Sequence, residues 1–184
     1  QVEVNRLVEE QGMTMVPPFD HPDIIAGQGT LGLEMAGDLP DMACAIIQVS
    51  GGGLVSGIAA ALKARMSGVK VIGVSMERGA AMYESQKAGK PVLVPELATL
   101  ADSLGGGIGL NNTYTFQMIR DIVDEFVLVS EKEISNHIED INLIFDHQNF
   151  FTIDISIKKN IEEIFNVDIK DHSLYLYATS KKNK

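Results

Sequence analysis

Apolar and polar positions in the first 133 residues follow two spacings, one typical of amphipathic helices and one typical of buried strands. Two near-continuous apolar runs, Ala43–Val49 and Val69–Met76, predict strands that are buried on both faces, as in the centre of a parallel sheet. A third run, EFVLVS, predicts another strand. Because predicted helices and short connections separate these runs, residues 37–133 are expected to form an open, mostly parallel α/β sheet with flanking helices, its first two strands adjacent.

The remaining elements are predicted from helical spacing together with glycine and proline positions. A first helix in VEVNRLVEEQG closes at Gly12, and MTMVPPF predicts a short strand that prolines end. The glycine-rich residues before Thr30 predict a loop, with Thr30 capping the next helix and Leu33 and Met35 pointing to the core. Helices are predicted around Thr30–Ala36, Leu54–Met66, Ala80–Ala88 and Thr113–Val123.

A change of composition divides the chain near Glu133–Asn136. All seventeen glycines lie at or before Gly109, whereas the end of the chain is rich in isoleucine, asparagine and lysine. We therefore predict two parts, residues 1–135 and a short C-terminal α/β appendage, residues 136–184. In the appendage, IEDINLIF, FFTIDISI, KKNIEEIF and SLYLYAT predict helix, strand, helix and strand. The chain starts inside a predicted helix, which indicates a segment of a longer protein.

Composition narrows the function classes. The net charge of −10 argues against nucleic acid and anionic membranes as partners. No apolar run reaches membrane-spanning length, and no signal sequence opens the chain. Cys44, the single cysteine, lies in a strand-like run and predicts a buried thiol rather than a nucleophile. With no disulfide possible within the chain, a cytoplasmic protein is expected.

The stretch IIQVSGGGLVSGIA indicates an anion-binding loop. Three glycines between a buried strand and a helix permit positive φ angles and close backbone approach, so that N–H groups point outward together. The helix dipole adds positive potential at that end, and phosphate is the natural ligand. A tight turn without a ligand is the alternative. Among ligands, a dinucleotide competes, since Gly51-x-Gly53 is a loose dinucleotide fingerprint and Glu77 ends the next strand.

Three separated motifs, GQGTLGLE, VSGGGLVSGIA and TLADSLGGGIGLNN, occur in one order along residues 1–135. Together they resemble the serine/threonine dehydratase group of fold-type II pyridoxal 5′-phosphate (PLP) enzymes. The chain looks most like the hydroxyectoine-utilisation dehydratases, often catalogued as threonine ammonia-lyases. The resemblance implies part of a tryptophan synthase beta-like large domain. It also implies PLP as cofactor, an amino-acid substrate and a homo-oligomer.

The resemblance also assigns candidate cofactor-binding residues. Ser103 matches a position beside the cofactor ring, and Glu131 matches an acid near the ring, with Glu133 as the alternative register. Gln28 and Thr30 are expected to shape a neighbouring turn rather than touch the cofactor. The residues that match the family's phosphate-binding loop are Ser50, Gly51, Gly52, Gly53 and Leu54.

Other family features do not occur in this sequence. The family's catalytic lysine lies in a Ser-x-Lys-x-Arg-Gly context, which is absent, as are the asparagine loop and the VVEPSGA-like segment. The lysines present are expected to be solvated charges, so no catalytic residue is predicted. The divalent-cation positions of some relatives fall on Glu77, Ala81 and Tyr83, which lack the last carboxylate, so no metal is predicted.

The sequence therefore predicts part of a PLP-dependent ammonia-lyase that supplies the phosphate loop and lacks the lysine. A lysine-bearing N-terminal half would lie on another segment. We expect this chain alone to be inactive. Two alternatives stay open: a non-catalytic phosphate-binding or assembly module, and a nicotinamide-nucleotide domain.

Overall fold

Three parallel strands form the centre of the sheet in the computed structural model, which describes residues 2–135, 167–172 and 176–180. Strand β1 (Cys44–Gln48) pairs with β2 (Lys70–Met76), and β2 pairs with β3 (Glu125–Val129), all parallel. The prediction of a parallel sheet with the first two apolar runs as neighbours is therefore confirmed.

Helices connect these strands. None of the helices among the described residues is both long and apolar enough to cross a membrane. A short 3₁₀ turn spans Asp102–Leu104. Besides a helical segment at residues 131–135, the helices are α1 (Val2–Gln11), α2 (Pro22–Asp38), α3 (Gly53–Arg65), α4 (Ala81–Ala88) and α5 (Thr115–Ile122).

Four local predictions were wrong. MTMVPPF contains no strand, and the predicted loop before Thr30 is the first half of α2, which starts at Pro22 with His21 as its cap. Thr30 consequently lies inside the helix, where its hydroxyl donates to the Gly27 carbonyl (2.7 Å) instead of capping. Met35 is buried as predicted, but Leu33 is 45% exposed.

Close packing against α3 explains why a glycine-rich segment is helical here. A Cβ atom at Gly57 of α3 would lie 2.3 Å from the Ile25 carbonyl oxygen and 2.7 Å from the Gly29 nitrogen of α2. A Cβ atom at Gly32 would lie 2.8 Å from the Ile58 carbonyl oxygen. Gly29 and Gly32 of the GQGTLG motif thus serve helix–helix contact, which burial of both helices stabilises despite the poor helix propensity of glycine.

The core lies between the parallel strands and the faces of α3 and α5. Side chains from β1 and α3 dominate it, because a strand buried on both faces and a helix packed over it remove apolar surface from water together. The largest fully buried side chains include Ile47, Val55, Ile58, Leu62 and Ile119.

The backbone of two C-terminal strands extends the sheet on the other side of β1. Strands β4 (Val167–His172) and β5 (Leu176–Ser180) pair antiparallel, and β5 pairs antiparallel with β1, in the order β3-β2-β1-β5-β4. The predicted strand SLYLYAT overlaps β5, whereas β4 was not predicted. The other three predicted appendage elements lie outside the described residues, and the boundary near residue 135 stays a prediction.

Candidate anion site at the start of α3

The loop between β1 and α3 leaves the start of the helix open. Val49, just after β1, still donates to the Val74 carbonyl (2.7 Å), so the strand holds the loop's first end firmly. Gly52 is the N-cap residue, with φ 94°, and it provides no side-chain cap. The N–H of Ser56 donates to the Gly52 carbonyl (3.0 Å), which starts the helical hydrogen-bond ladder.

The backbone N–H groups from Gly51 to Val55 find no acceptor within the part of the chain that the structure describes. Helix starts leave such donors unpaired, and side chains, water or ligands normally satisfy them. Here no side chain does so. The helix dipole adds roughly half a positive charge at the same point, so consecutive donors and positive potential coincide.

A cavity of about 340 Å³ opens over these donors. Among its described lining residues, none carries a charge, so an anion in it would be held by neutral donors and the dipole. No group of three metal-ligating side chains occurs among the residues the structure describes. The lining residues are Pro18, Phe19, Ile24, Gln28, Gln48, Ser50, Gly51, Gly52, Gly53, Leu54 and Leu104.

Each of the three glycines is packed against protein as well as facing the cavity. A Cβ atom at Gly51 would lie 2.3 Å from the Phe19 ring, and one at Gly53 would lie 3.0 Å from the Phe19 backbone. A Cβ atom at Gly52 would lie 2.6 Å from Ile119 Cδ1, in the core. The positive φ expected in this loop occurs at Gly52, and a side chain there would also strike the core.

Two residues that sequence reasoning missed support the loop. The ring of Phe19 lies against Gly51, and the backbone of Phe19 lies against Gly53. The buried Thr115 of α5 donates its hydroxyl hydrogen to the Gly51 carbonyl oxygen (2.8 Å). Both lie far from the loop in sequence, and no local motif indicates either contact.

Ser103 does not line the cavity. It lies exposed in the 3₁₀ turn, and the next residue, Leu104, lines the cavity instead. The ADSLGGG segment therefore reaches the cavity through Leu104, and contact of Ser103 with a cofactor stays a prediction.

Glu131 and Glu133 have different partners. The Glu131 carboxylate accepts hydrogen bonds from the Thr99 hydroxyl and the Leu100 N–H, and these two bonds hold the pKa of Glu131 below its usual range. Glu133 instead accepts from the Ser130 N–H (2.8 Å), while its own N–H donates to the Ser130 hydroxyl (3.3 Å). That reciprocal pair is a capping box. Of the two acids, Glu131 contacts the loop that leads to Leu104.

Comparison with known proteins decides the family. Residues 1–141 match the family model described as pyridoxal-phosphate dependent enzyme. The chain belongs to this family. It is 58% identical over 135 residues to a putative threonine dehydratase of Sinorhizobium fredii, covering 73% of this chain and 41% of that protein. It is 44% identical over 127 residues to the L-threonine ammonia-lyase of Geobacter sulfurreducens, covering 69% and 31%.

Solved structures agree with this family and with the predicted fold. Threonine deaminase isoform 2 of Solanum lycopersicum, in its processed form, superimposes with a TM-score of 0.76 at 31% identity, covering 91% of this chain and 49% of that one. Maize serine racemase gives 0.71 at 29% identity, covering 79% and 45%. The chain spans less than half the length of these relatives. The predicted dehydratase resemblance and fold-type II architecture are confirmed.

Proposed function

We propose that this chain forms the phosphate-binding part of a PLP-dependent ammonia-lyase that converts threonine or a similar hydroxy amino acid into a 2-oxo acid and ammonia. The observation that carries the proposal is the uncapped start of α3, where free N–H groups face a cavity without charged side chains. The similarity to threonine dehydratases supports the substrate class.

The site fits a phosphate monoester. The N–H groups of Gly51, Gly52, Gly53 and Leu54 would donate to its oxygens, and Ser50, which lines the same cavity, would add its hydroxyl. The phosphate would thereby satisfy donors that the helix start leaves unpaired, in the field of the α3 dipole. Apolar lining from Phe19, Ile24 and Leu104 would exclude water around the rest of the ligand.

The reaction needs groups besides the cradle, that is, besides the backbone N–H groups of residues 51–54 at the start of α3. When bound, PLP supplies the electron-withdrawing ring that allows the α-hydrogen of the amino acid to leave as a proton. Among the described lining residues no lysine is present to move that proton. Lys63 and Lys70 pair with Asp124 and Glu125 (2.6 and 2.5 Å), at the sheet edge opposite the cradle. We therefore assign the lysine to another segment.

Leu54→Glu tests the cradle. Leu54 is the second residue of α3 and lines the cavity, so a glutamate there favours the helix dipole but repels a bound phosphate. Titration with pyridoxine 5′-phosphate, which has no aldehyde to react with surface lysines, should show affinity weakened about tenfold, or roughly 1.4 kcal/mol. Inorganic phosphate serves as a second probe, and pyridoxine without phosphate as the negative probe.

Leu54→Gln is the matched control, because it has the same shape as the glutamate variant without the charge. We expect it to bind pyridoxine 5′-phosphate more tightly than Leu54→Glu, and both variants to be folded. Equal affinities for wild type, Leu54→Glu and Leu54→Gln would place the phosphate elsewhere and sink the proposal. So would binding of pyridoxine as tight as that of its phosphate ester.

The catalytic part of the proposal needs an activity assay. The chain alone, with excess PLP and threonine, is expected to release no 2-oxo acid or ammonia. Addition of a lysine-bearing N-terminal segment should restore both products. Turnover by the chain alone would show that one of its own lysines serves the reaction.

A non-catalytic binding module is the second candidate, and the absence of a lysine from the described lining favours it. This candidate predicts phosphate binding with the same dependence on Leu54. It differs in the assay, where added lysine-bearing segments would give no product.

A further inference from the structure

The start of α5 is capped by Asp20, which lies 93 to 95 residues earlier in the sequence than the residues it contacts. One oxygen of the Asp20 carboxylate accepts from the Thr113 N–H (2.6 Å), and the other accepts from the N–H groups of Tyr114 (2.8 Å) and Thr115 (2.9 Å). The N-cap residue Tyr114 supplies no side-chain cap of its own. Asp20 therefore satisfies three consecutive donors at the positive end of this helix.

Both partners of this cap contact the glycine loop, one through Thr115 of α5 and the other through Phe19, the residue before Asp20. Thr115, whose N–H Asp20 accepts, holds the Gly51 carbonyl through its hydroxyl (2.8 Å). Phe19, which precedes Asp20, packs against Gly51 and Gly53. Asp20 thus joins two segments that both fix the glycine loop.

The neighbouring bonds make the connection directional. Asn112 donates to the Thr115 hydroxyl oxygen (2.8 Å) and accepts from the Phe116 N–H (2.8 Å). The Thr115 hydroxyl hydrogen has two acceptors within reach, the Gly51 carbonyl oxygen (2.8 Å) and Asn112 Oδ1 (3.1 Å), and the shorter distance favours Gly51. A shift of the α5 start would therefore move the Gly51 carbonyl, and with it the peptide plane that carries the Gly52 N–H.

We propose that Asp20 is a positioning residue for the anion cradle. By holding the start of α5, it fixes Thr115 and Phe19, and these fix the direction of the loop N–H groups. The inference rests on the proposed function, since it names what orients the phosphate donors. Asp20 itself does not touch the ligand: both its oxygens are used by α5, and it is not among the described residues of the cavity lining.

Asp20→Asn is the direct test. An asparagine has one acceptor oxygen and a donating NH₂ group, so it cannot accept from donors on both sides as the carboxylate does. We expect pyridoxine 5′-phosphate to bind the folded variant about tenfold more weakly, the size of effect that supporting residues have at metal sites. Affinity is measured at a temperature where unfolding curves show the variant to be folded.

Asp124→Asn is the matched control. Asp124 also accepts a backbone N–H, from Val71 (2.6 Å), and pairs with Lys63, but it precedes β3 at the sheet edge opposite the cradle. The Asp124→Asn variant should be less stable than the wild type and should bind phosphate with unchanged affinity. A merely structural role for Asp20 predicts the same for Asp20→Asn, and that result would overturn the inference.

A measurement without ligand separates this inference from the proposed function. The ¹⁵N–¹H resonances of Gly51, Gly52, Gly53 and Leu54 should shift in Asp20→Asn and stay in place in Asp124→Asn. Unchanged loop resonances in Asp20→Asn would refute the positioning role whether or not phosphate binds. Shifted resonances in a protein that binds no phosphate would refute only the proposed function.

A second variant covers the case in which Asp20→Asn does not fold. Thr115→Val removes the hydroxyl that reaches Gly51, while Thr115→Ser keeps it. The inference expects Thr115→Ser to bind pyridoxine 5′-phosphate more tightly than Thr115→Val and to keep the loop resonances nearer those of wild type. Equal affinities and equal loop shifts for the two variants would overturn it.

Discussion

Ser56 and Ser85 are both fully buried, yet their hydroxyl groups differ in partners. The Ser85 hydroxyl accepts from the Val92 N–H (3.1 Å), whereas the Ser56 hydroxyl has no partner within the described residues. A buried polar group without a partner carries its full desolvation penalty. We expect Ser56→Ala to raise the free energy of unfolding by about 1 kcal/mol and Ser85→Ala to lower it by about 1 kcal/mol.

Denaturant unfolding of the two variants measures this difference. Loss of stability in Ser56→Ala comparable to that in Ser85→Ala would mean that the Ser56 hydroxyl has a partner after all.

Cys44 offers a test that depends on pH. Burial raises the pKa of its thiol to about 11, so the reactive thiolate is scarce in the folded protein at pH 8. In the unfolded chain the pKa is about 8.5. Alkylation by iodoacetamide at pH 8 should therefore be much slower in the native protein than in denaturant, and equal rates would contradict the burial.

The same shift fixes the sign of a pH effect on stability. The thiol's contribution is complete below about pH 8.5, the unfolded pKa. It is lost as the pH rises towards the folded value of about 11. The free energy of unfolding should decline over that range, by more than in a Cys44→Ala variant.

Among individual residues, those of the loop Ser50–Leu54 could be predicted from the sequence, because the strand, the glycines and the helix follow one another directly. The supports Phe19, Asp20 and Thr115 could not be predicted, since the contacts of Asp20 with α5 join positions 93 to 95 residues apart. A single sequence carries no signal for such pairs. The same holds for Leu104, which lines the cavity where Ser103 was expected.

Among the elements, the contact between α2 and α3 gives the sharpest prediction. Gly57→Ala places a Cβ atom 2.3 Å from a carbonyl oxygen, and backbone atoms can move only if the helices separate. We expect it to lower the free energy of unfolding by about 1–3 kcal/mol or more, as overpacking does.

Gly27→Ala is its control within α2, because a Cβ atom there would have nothing within 4 Å. Removing a flexible helical glycine should raise stability by about 0.5–1 kcal/mol. Thermal or denaturant unfolding distinguishes the two variants, and a stable Gly57→Ala protein would refute the close contact.

The elements differ in how well sequence predicted them, for a physical reason. Strands β1 and β2 were predicted because burial on both faces produces a continuous apolar run. The start of α2 was missed because its glycines imply poor helix propensity. Packing of Gly29 against Gly57 and of Gly32 against Ile58 overrides that local preference, and only the assembled pair of helices makes it visible.

For the whole molecule, the position of β5 beside β1 is the feature to test. An uncovered strand edge invites pairing with other chains, and here the Cys44–Ile46 edge is paired with residues 176–178. Because β5 has strands on both sides, Tyr177→Pro must disrupt the ladder. We expect faster hydrogen exchange at the amides of β1 that face β5.

Tyr177→Val keeps the backbone N–H and is the control. Exchange rates in β1 that are the same in wild type and Tyr177→Pro would show that β5 does not protect this edge in solution.

The long sequence distance between Asp20 and α5 also has a consequence for synthesis on the ribosome. The glycine loop and α3 are complete once about residue 65 has emerged, yet the partners of Asp20 lie at 113–115. Closing so long a loop costs conformational entropy. The contacts also cannot form before residues 113–115 leave the exit tunnel. A nascent chain would thus present an unfinished cradle while residues 66–115 are added, and the affinity for phosphate should rise abruptly rather than gradually as translation passes α5.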